Sequence, residues 1–216
     1  MRCCKKYLLL LGLLLLAVVG GCGGIGYEVT DENKPVPIKS PEALPSNPKI
    51  LIVYFSHTGN TQLAAWQVQA AVGGQLFELQ TAEDYPDDAE ACGARARQEL
   101  KENIRPALVS DLTDISRYDT IFIGYPIWYG RAPMAVQTFL TAHDFSGKVL
   151  VPFATSNKSG IDKSVQELQA VCPQADFAGG LALQDIGTGK MQRLISSWLE
   201  GIRGEVGAFN KKRAVQ

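Results

Sequence analysis

Histidine and cysteine are scarce in this chain, and their placement excludes most metal and thiol chemistry. The 216 residues hold two histidines and five cysteines. His57 and His143 lie far apart, there is no CxxC, and no Cys/His cluster has metal-ligand spacing. Neither a zinc site nor a dithiol redox centre is expected, and the metal prediction is none. Cys3 and Cys4 fall in the leading segment, which leaves Cys92 and Cys172 in the body of the chain. Sequence leaves open whether those two pair. A clustered basic face is also missing: 21 Lys and Arg stand against 22 Asp and Glu. A nucleic-acid partner is therefore not expected. Apolar runs long enough to span a bilayer are lacking too. The longest, Leu8 to Val19 with Gly12 inside it, is shorter than the roughly 20 residues a spanning helix needs.

What the start of the chain does have is an export pattern. Arg2, Lys5 and Lys6 precede the apolar run, and the small residues Gly20 and Gly21 follow it, just before Cys22. This is the layout of a secretory signal over residues 1–21. Val19-Gly20-Gly21-Cys22 resembles a bacterial lipobox. The resemblance implies cleavage before Cys22, acylation of its thiol and new amino group, and an exported bacterial lipoprotein on the cell or outer membrane. Several acyl chains hold a protein on a membrane where one holds it weakly. A plain signal peptide with an incidental cysteine, or an uncleaved anchor, is the competing reading. Residues 22–48 read as a tether, opened by Gly23, Gly24 and Gly26 and punctuated by Pro35, Pro37, Pro41, Pro45 and Pro48. No helical or strand period survives there.

From Lys49 the pattern alternates. With 46% hydrophobic residues the chain has material for a core. Ile50 to Phe55 is a continuous apolar run, as expected of a strand buried on both faces. Strands are further predicted over 75–80, 120–124, 148–155 and, weakened by Gly179 and Gly180, 176–183. Helices are predicted over 61–72, 88–103, 133–140, 161–171 and 191–202. The expectation is an α/β domain over 49–204, with a tail over 205–216. Its sheet would be five-stranded and parallel with helices on both faces, and right-handed crossovers leave few strand orders. Ligands of such sheets bind beyond the carboxyl ends of the strands, so the loops after strands one, three and four carry the chemistry.

The first of these loops reads Ser56-His57-Thr58-Gly59-Asn60-Thr61. Hydroxyls at 56, 58 and 61 can donate to phosphate oxygens, Gly59 permits a tight turn, and the helix start adds its positive end. The loop has neither the lysine of nucleotide triphosphatases nor a GxGxxG pattern, which suits a monophosphate ester. An ordinary turn with a Thr or Asn cap is the alternative. The run Ile52 to Thr61 resembles the phosphate-binding loop of flavodoxins. Gly124-Tyr125-Pro126-Ile127-Trp128-Tyr129-Gly130 is similar to the first ring-binding loop of flavodoxin-like bacterial oxidoreductases. Thr155-Ser156-Asn157-Lys158-Ser159-Gly160 occupies the place of their second. The resemblance spans roughly 49 to 203 and implies a flavodoxin-like, doubly wound five-stranded parallel sheet in the order 2-1-3-4-5.

That resemblance implies FMN as cofactor, with chemistry on the flavin and no catalytic side chain. Phosphate contacts are implied from Ser56, Thr58, Gly59, Asn60 and Thr61, and from the backbone of His57. Ring contacts are implied from Pro126, Ile127, Trp128, Tyr129 and Gly130, and from the loop residues Thr155, Ser156, Asn157, Ser159 and Gly160. Tyr129 stands where the subfamily commonly has a second Trp, and Asn157 and Lys158 where it commonly has glycines. Lys158 could reach the cofactor, while Ser159 with Asp162 resembles a weak capping box. His143 is expected in solvent. His57 could lean on the phosphate or the ring rim. The functional expectation is a redox protein, either a carrier of electrons or an enzyme of the quinone-reductase type. Its partner would be a protein, a quinone or a nicotinamide. A surface module that kept the fold and lost the cofactor is the reading from another class.

Overall fold

The computed structural model describes residues 49–109, 112, 114–184 and 188–213. The export signal, Cys22 and the tether lie outside them. The elements run β1 (Ile50–Tyr54), α1 (Asn60–Val72), β2 (Gln75–Glu78), α2 (Ala89–Glu102), β3 (Thr120–Pro126) and α3 (Met134–Ala142). After them come β4 (Val149–Ser156), α4 (Asp162–Val171), β5 (Asp176–Phe177), β6 (Leu181–Gln184) and α5 (Thr188–Arg213).

The strands are parallel and ordered β2-β1-β3-β4-β5, with β6 also on β4. Central strands β1, β3 and β4 are buried along almost their whole length. That is why their sequences read as unbroken apolar runs rather than alternating ones. Two cores result. On one face Ala64, Ala65 and Val68 of α1, with Ile195 and Ile202 of α5, cover Ile52, Phe122, Val151 and Phe153. On the other, Cys92 of α2, Val136 and Phe139 of α3 and Leu168 of α4 cover Leu51, Ile121, Ile123 and Leu150.

The fifth strand departs from the expectation: it is two short strands, giving a six-stranded sheet. β5 pairs with Val149 and Leu150, and β6 with Phe153 to Ser156. The break falls at Ala178, Gly179 and Gly180, opposite Pro152. Ala178 N donates to Leu150 O at 3.0 Å, so the amide of residue 152 would point the same way, and proline has none. The ladder loses its donor where the glycines loosen the edge strand. The last helix also runs further than its apolar period, to Arg213. No helix among the described residues is long and apolar enough to cross a membrane.

Two smaller expectations are corrected. His143 is half-buried rather than solvated. Its Nδ1 lies 2.9 Å from Phe139 O and its Nε2 3.1 Å from Leu112 O, with the ring packed on Phe139 at 4.6 Å. The position looked polar in sequence, but its ring closes the end of α3 against the chain at Leu112. The capping box at Ser159 does not form. Ile161 is the N-cap of α4 and no side chain caps it; the helix begins at Asp162, so Ser159 stands two residues ahead of the cap position. Cys92 and Cys172 are buried free thiols. Burial pushes the Cys172 thiol up to about 11, so it is protonated and unreactive at neutral pH.

Candidate functional site

The loop after β1 turns on Gly59, whose φ of 86° places it in the left-handed region at the N-cap of α1. A glycine cap offers no side-chain acceptor to the first turn. The Ser56 hydroxyl supplies one from six residues upstream, accepting from Gln62 N at 3.2 Å. The amides of Asn60 and Thr61 remain, at the positive end of the helix. Asn60 Nδ2 donates to the Thr58 hydroxyl at 3.3 Å. Thr61 is turned inward, its hydroxyl 2.8 Å from that of Thr155 in a buried contact between α1 and β4. Sequence assigned Ser56 and Thr61 to ligand binding; their hydroxyls also brace the loop itself.

After β3 the chain makes a tight turn. Trp128 N donates to Arg131 O and Arg131 N to Trp128 O, both at 3.0 Å. Tyr129 and Gly130 between them have φ of 52° and 75°, the type I′ signature. Gly130 adopts this easily, whereas a tyrosine there is strained. The Tyr129 hydroxyl compensates by donating to Gly93 O at 3.1 Å and accepting from Arg97 at 2.8 Å, with the guanidinium 5.2 Å from its ring. A Cβ on Gly93 would meet that hydroxyl at 2.7 Å, so the approach depends on a glycine in α2. Tyr129 therefore clamps the turn to α2 and does not line the cleft, contrary to the stacking role expected of it.

Trp128 is held edge-on by an aromatic group: Phe55 at 5.5 Å, Tyr85 at 4.9 Å and His57 at 6.1 Å. His57 thus leans on Trp128 and Tyr85 with its ring. Tyr85 is fixed in turn, donating to Glu99 at 2.5 Å with Arg95 4.2 Å over its face. Arg95 also bonds Glu99 at 2.9 Å. Burial, then the Glu99 carboxylate, holds the Tyr85 hydroxyl proton firmly in place.

The loop after β4 folds back on itself. Besides Ser156, Gln184 Nε2 of β6 donates to Ser159 O at 3.3 Å and to Lys158 O at 3.4 Å. Ile127 N donates to Thr155 O at 2.8 Å, which joins this loop to the one after β3.

Together the loops enclose a cleft of about 570 Å³, within the range of cofactor sites. Thr58 and Asn60, Pro126, Ile127 and Trp128, and Thr155, Ser156, Asn157 and Ser159 line it, as sequence proposed. Ser56, His57, Gly59, Thr61, Tyr129, Gly130 and Gly160 do not. Lys158, which the sequence placed within reach of a cofactor, lines the cleft too, and Leu183 and Met191 complete the lining without a sequence signal. Leu183 and Met191 come from β6 and α5 and are buried. No local motif marks them, and only the fold brings them under the loops.

The model of the Flavodoxin family matches residues 49–202, the larger part of the chain. The chain belongs to the flavodoxin family. Among solved structures, this flavodoxin-family chain is 38% identical to a provisionally assigned flavoprotein from Bacteroides eggerthii, covering 73% of this chain and 99% of that one with a TM-score of 0.65. A second provisionally assigned flavoprotein, from Bacteroides uniformis, is 37% identical over 70% of this chain and 99% of its own, with a TM-score of 0.63. A Lactobacillus acidophilus flavoprotein, solved in complex with FMN, shares the fold at 23% identity. It covers 70% of this chain and 99% of its own, with a TM-score of 0.58. No curated protein matches the chain.

Proposed function

We propose that this flavodoxin-family protein binds FMN in the cleft and serves as a redox protein. The observation that carries the reading is the chemistry of the lining. In the lining, α1 starts without a side-chain cap of its own beside the Thr58 hydroxyl and the Asn60 amide, which suits a phosphate. The lining also holds the Trp128 indole, braced on its edges, and the buried Leu183 and Met191, which suit a planar apolar ring. Among the described residues no carboxylate lines the cleft. Bound FMN would supply the electron chemistry, while the protein holds the ring and phosphate and limits the access of water. The known binding of FMN by the Lactobacillus protein of the same fold supports the reading. Its partner would be a protein, a quinone or a nicotinamide.

Titrating the purified protein with FMN should give saturable one-to-one quenching of flavin fluorescence, with a Kd below about 1 μM, or about 8 kcal/mol. A linear, unsaturated response would sink the proposal.

The reading extends to location. Leu8 to Val19 followed by Val19-Gly20-Gly21-Cys22 supports a lipid anchor on the outer side of a bacterial membrane. A Cys22→Ser variant is expected to keep its leader and lose incorporated lipid label. Unchanged processing and fractionation would show that Cys22 is not the anchor.

A further inference from the structure

The ring loops bring two cations near the cleft, Arg131 and Lys158, and the structure separates their fates. Arg131 Nε bonds Glu167 at 2.8 Å, so its charge is paired and drawn toward α4. Lys158 lines the cleft, and among the described residues no carboxylate forms an ion pair with it. Asp185, which follows Gln184, lies outside the described residues. The Lys158 backbone is also fixed. Gln184 of β6 holds its carbonyl and that of Ser159, and β6 is on the side of β4 away from β1. Ile127 N bonds Thr155 O at 2.8 Å, which sets the loop of Lys158 beside the one that carries Trp128.

We propose that Lys158 sets the preference of the site for reduced over oxidised flavin. This rests on the FMN reading above. A flavin ring that takes two electrons from a donor and one proton from water gains a negative charge, and an ammonium nearby favours that anion. The exposed lysine acts through partial solvent and salt screening, so its effect is moderate.

The test is the ratio of affinities for reduced and oxidised FMN, obtained by anaerobic dithionite titration of the FMN-loaded protein. Lys158→Gln should lower the ratio about five- to tenfold, tenfold being about 30 mV for a two-electron couple. Lys158→Arg, which keeps the charge, should restore the parent value within about twofold, and raising the salt should narrow the gap between parent and Lys158→Gln. A Lys158→Gln ratio equal to that of the parent overturns the proposal, since the ammonium then stands in solvent or is paired elsewhere. Equal losses of oxidised and reduced FMN, with riboflavin unaffected, also overturn it by placing the lysine on the phosphate. If the parent binds no FMN at all, it is the functional reading that has failed.

Discussion

Riboflavin is expected to bind about a hundredfold more weakly than FMN. The two differ only in the phosphate, so the ratio measures what the loop after β1 does. That loop offers the first-turn amides of Asn60 and Thr61, the Thr58 hydroxyl and the end of a 13-residue helix. Hydrogen bonds to a charged group are worth about 1.5–3 kcal/mol each. Two at the low end give about 3 kcal/mol, or roughly two decades in Kd. A lysine, by contrast, would have added a strong and salt-sensitive point charge, and the loop has none. The discrimination should therefore persist at moderate salt. Parallel fluorescence titrations with the two flavins read it directly. Thr58→Ala should narrow the gap by weakening FMN alone. Equal affinities for FMN and riboflavin in the parent would show that this loop holds no phosphate.

The strands and the placement of the three loops could be read from the chain because each rests on local signals, while the strand order came with the family resemblance. Unbroken apolar runs mark strands buried on both faces. Right-handed crossovers limit how those strands are ordered, and the switch point then selects which loops matter. What was not legible depends on contacts between distant residues. The resemblance assigned Tyr129 to the ring because it stands where the subfamily commonly has a second Trp. Its direction is set by a left-handed backbone and by Gly93 and Arg97, more than thirty residues earlier. Ser159 resembled a cap, but α4 starts later than its sequence suggests, with Ile161 at the N-cap. The split of the fifth strand needed Pro152 to be seen as a missing donor on the β5 side, and sequence alone does not tell which neighbour a strand amide faces. His143 looked like a turn residue until Leu112 was found beside it.

Gly124→Ala is expected to be strongly destabilising. Gly124 lies in β3, and its register partner on β4 is Phe153, which is fully buried. The phenyl ring lies over the glycine, so a Cβ there would come within 2.2 Å of Phe153 Cζ and 2.4 Å of Cε2. Neither partner can yield cheaply. Phe55 N donates to Gly124 O at 2.9 Å, which ties the glycine to the chain leaving β1, while β4 holds it on the other side. The ring is confined by Trp198, 6.5 Å away, and packs in the same cluster as Leu183 and Met191. Overpacking of this kind costs about 1–3 kcal/mol, and the confinement places Gly124→Ala at the upper end. At about 2–4 °C per kcal/mol for a domain of this size, Tm should fall by roughly 6–12 °C. Because Leu183 and Met191 line the cleft, a displaced ring should also weaken FMN binding. Phe153→Leu removes the ring tip that the new methyl would meet. It should be destabilising alone, through the space it leaves, yet stabilising in the Gly124→Ala background. The cycle should give a favourable coupling of at least about 1 kcal/mol. Denaturant unfolding of the four proteins measures it. Strictly additive effects would mean that the methyl is accommodated by movement of the strands, and that the ring of Phe153 is not what reserves this position for glycine.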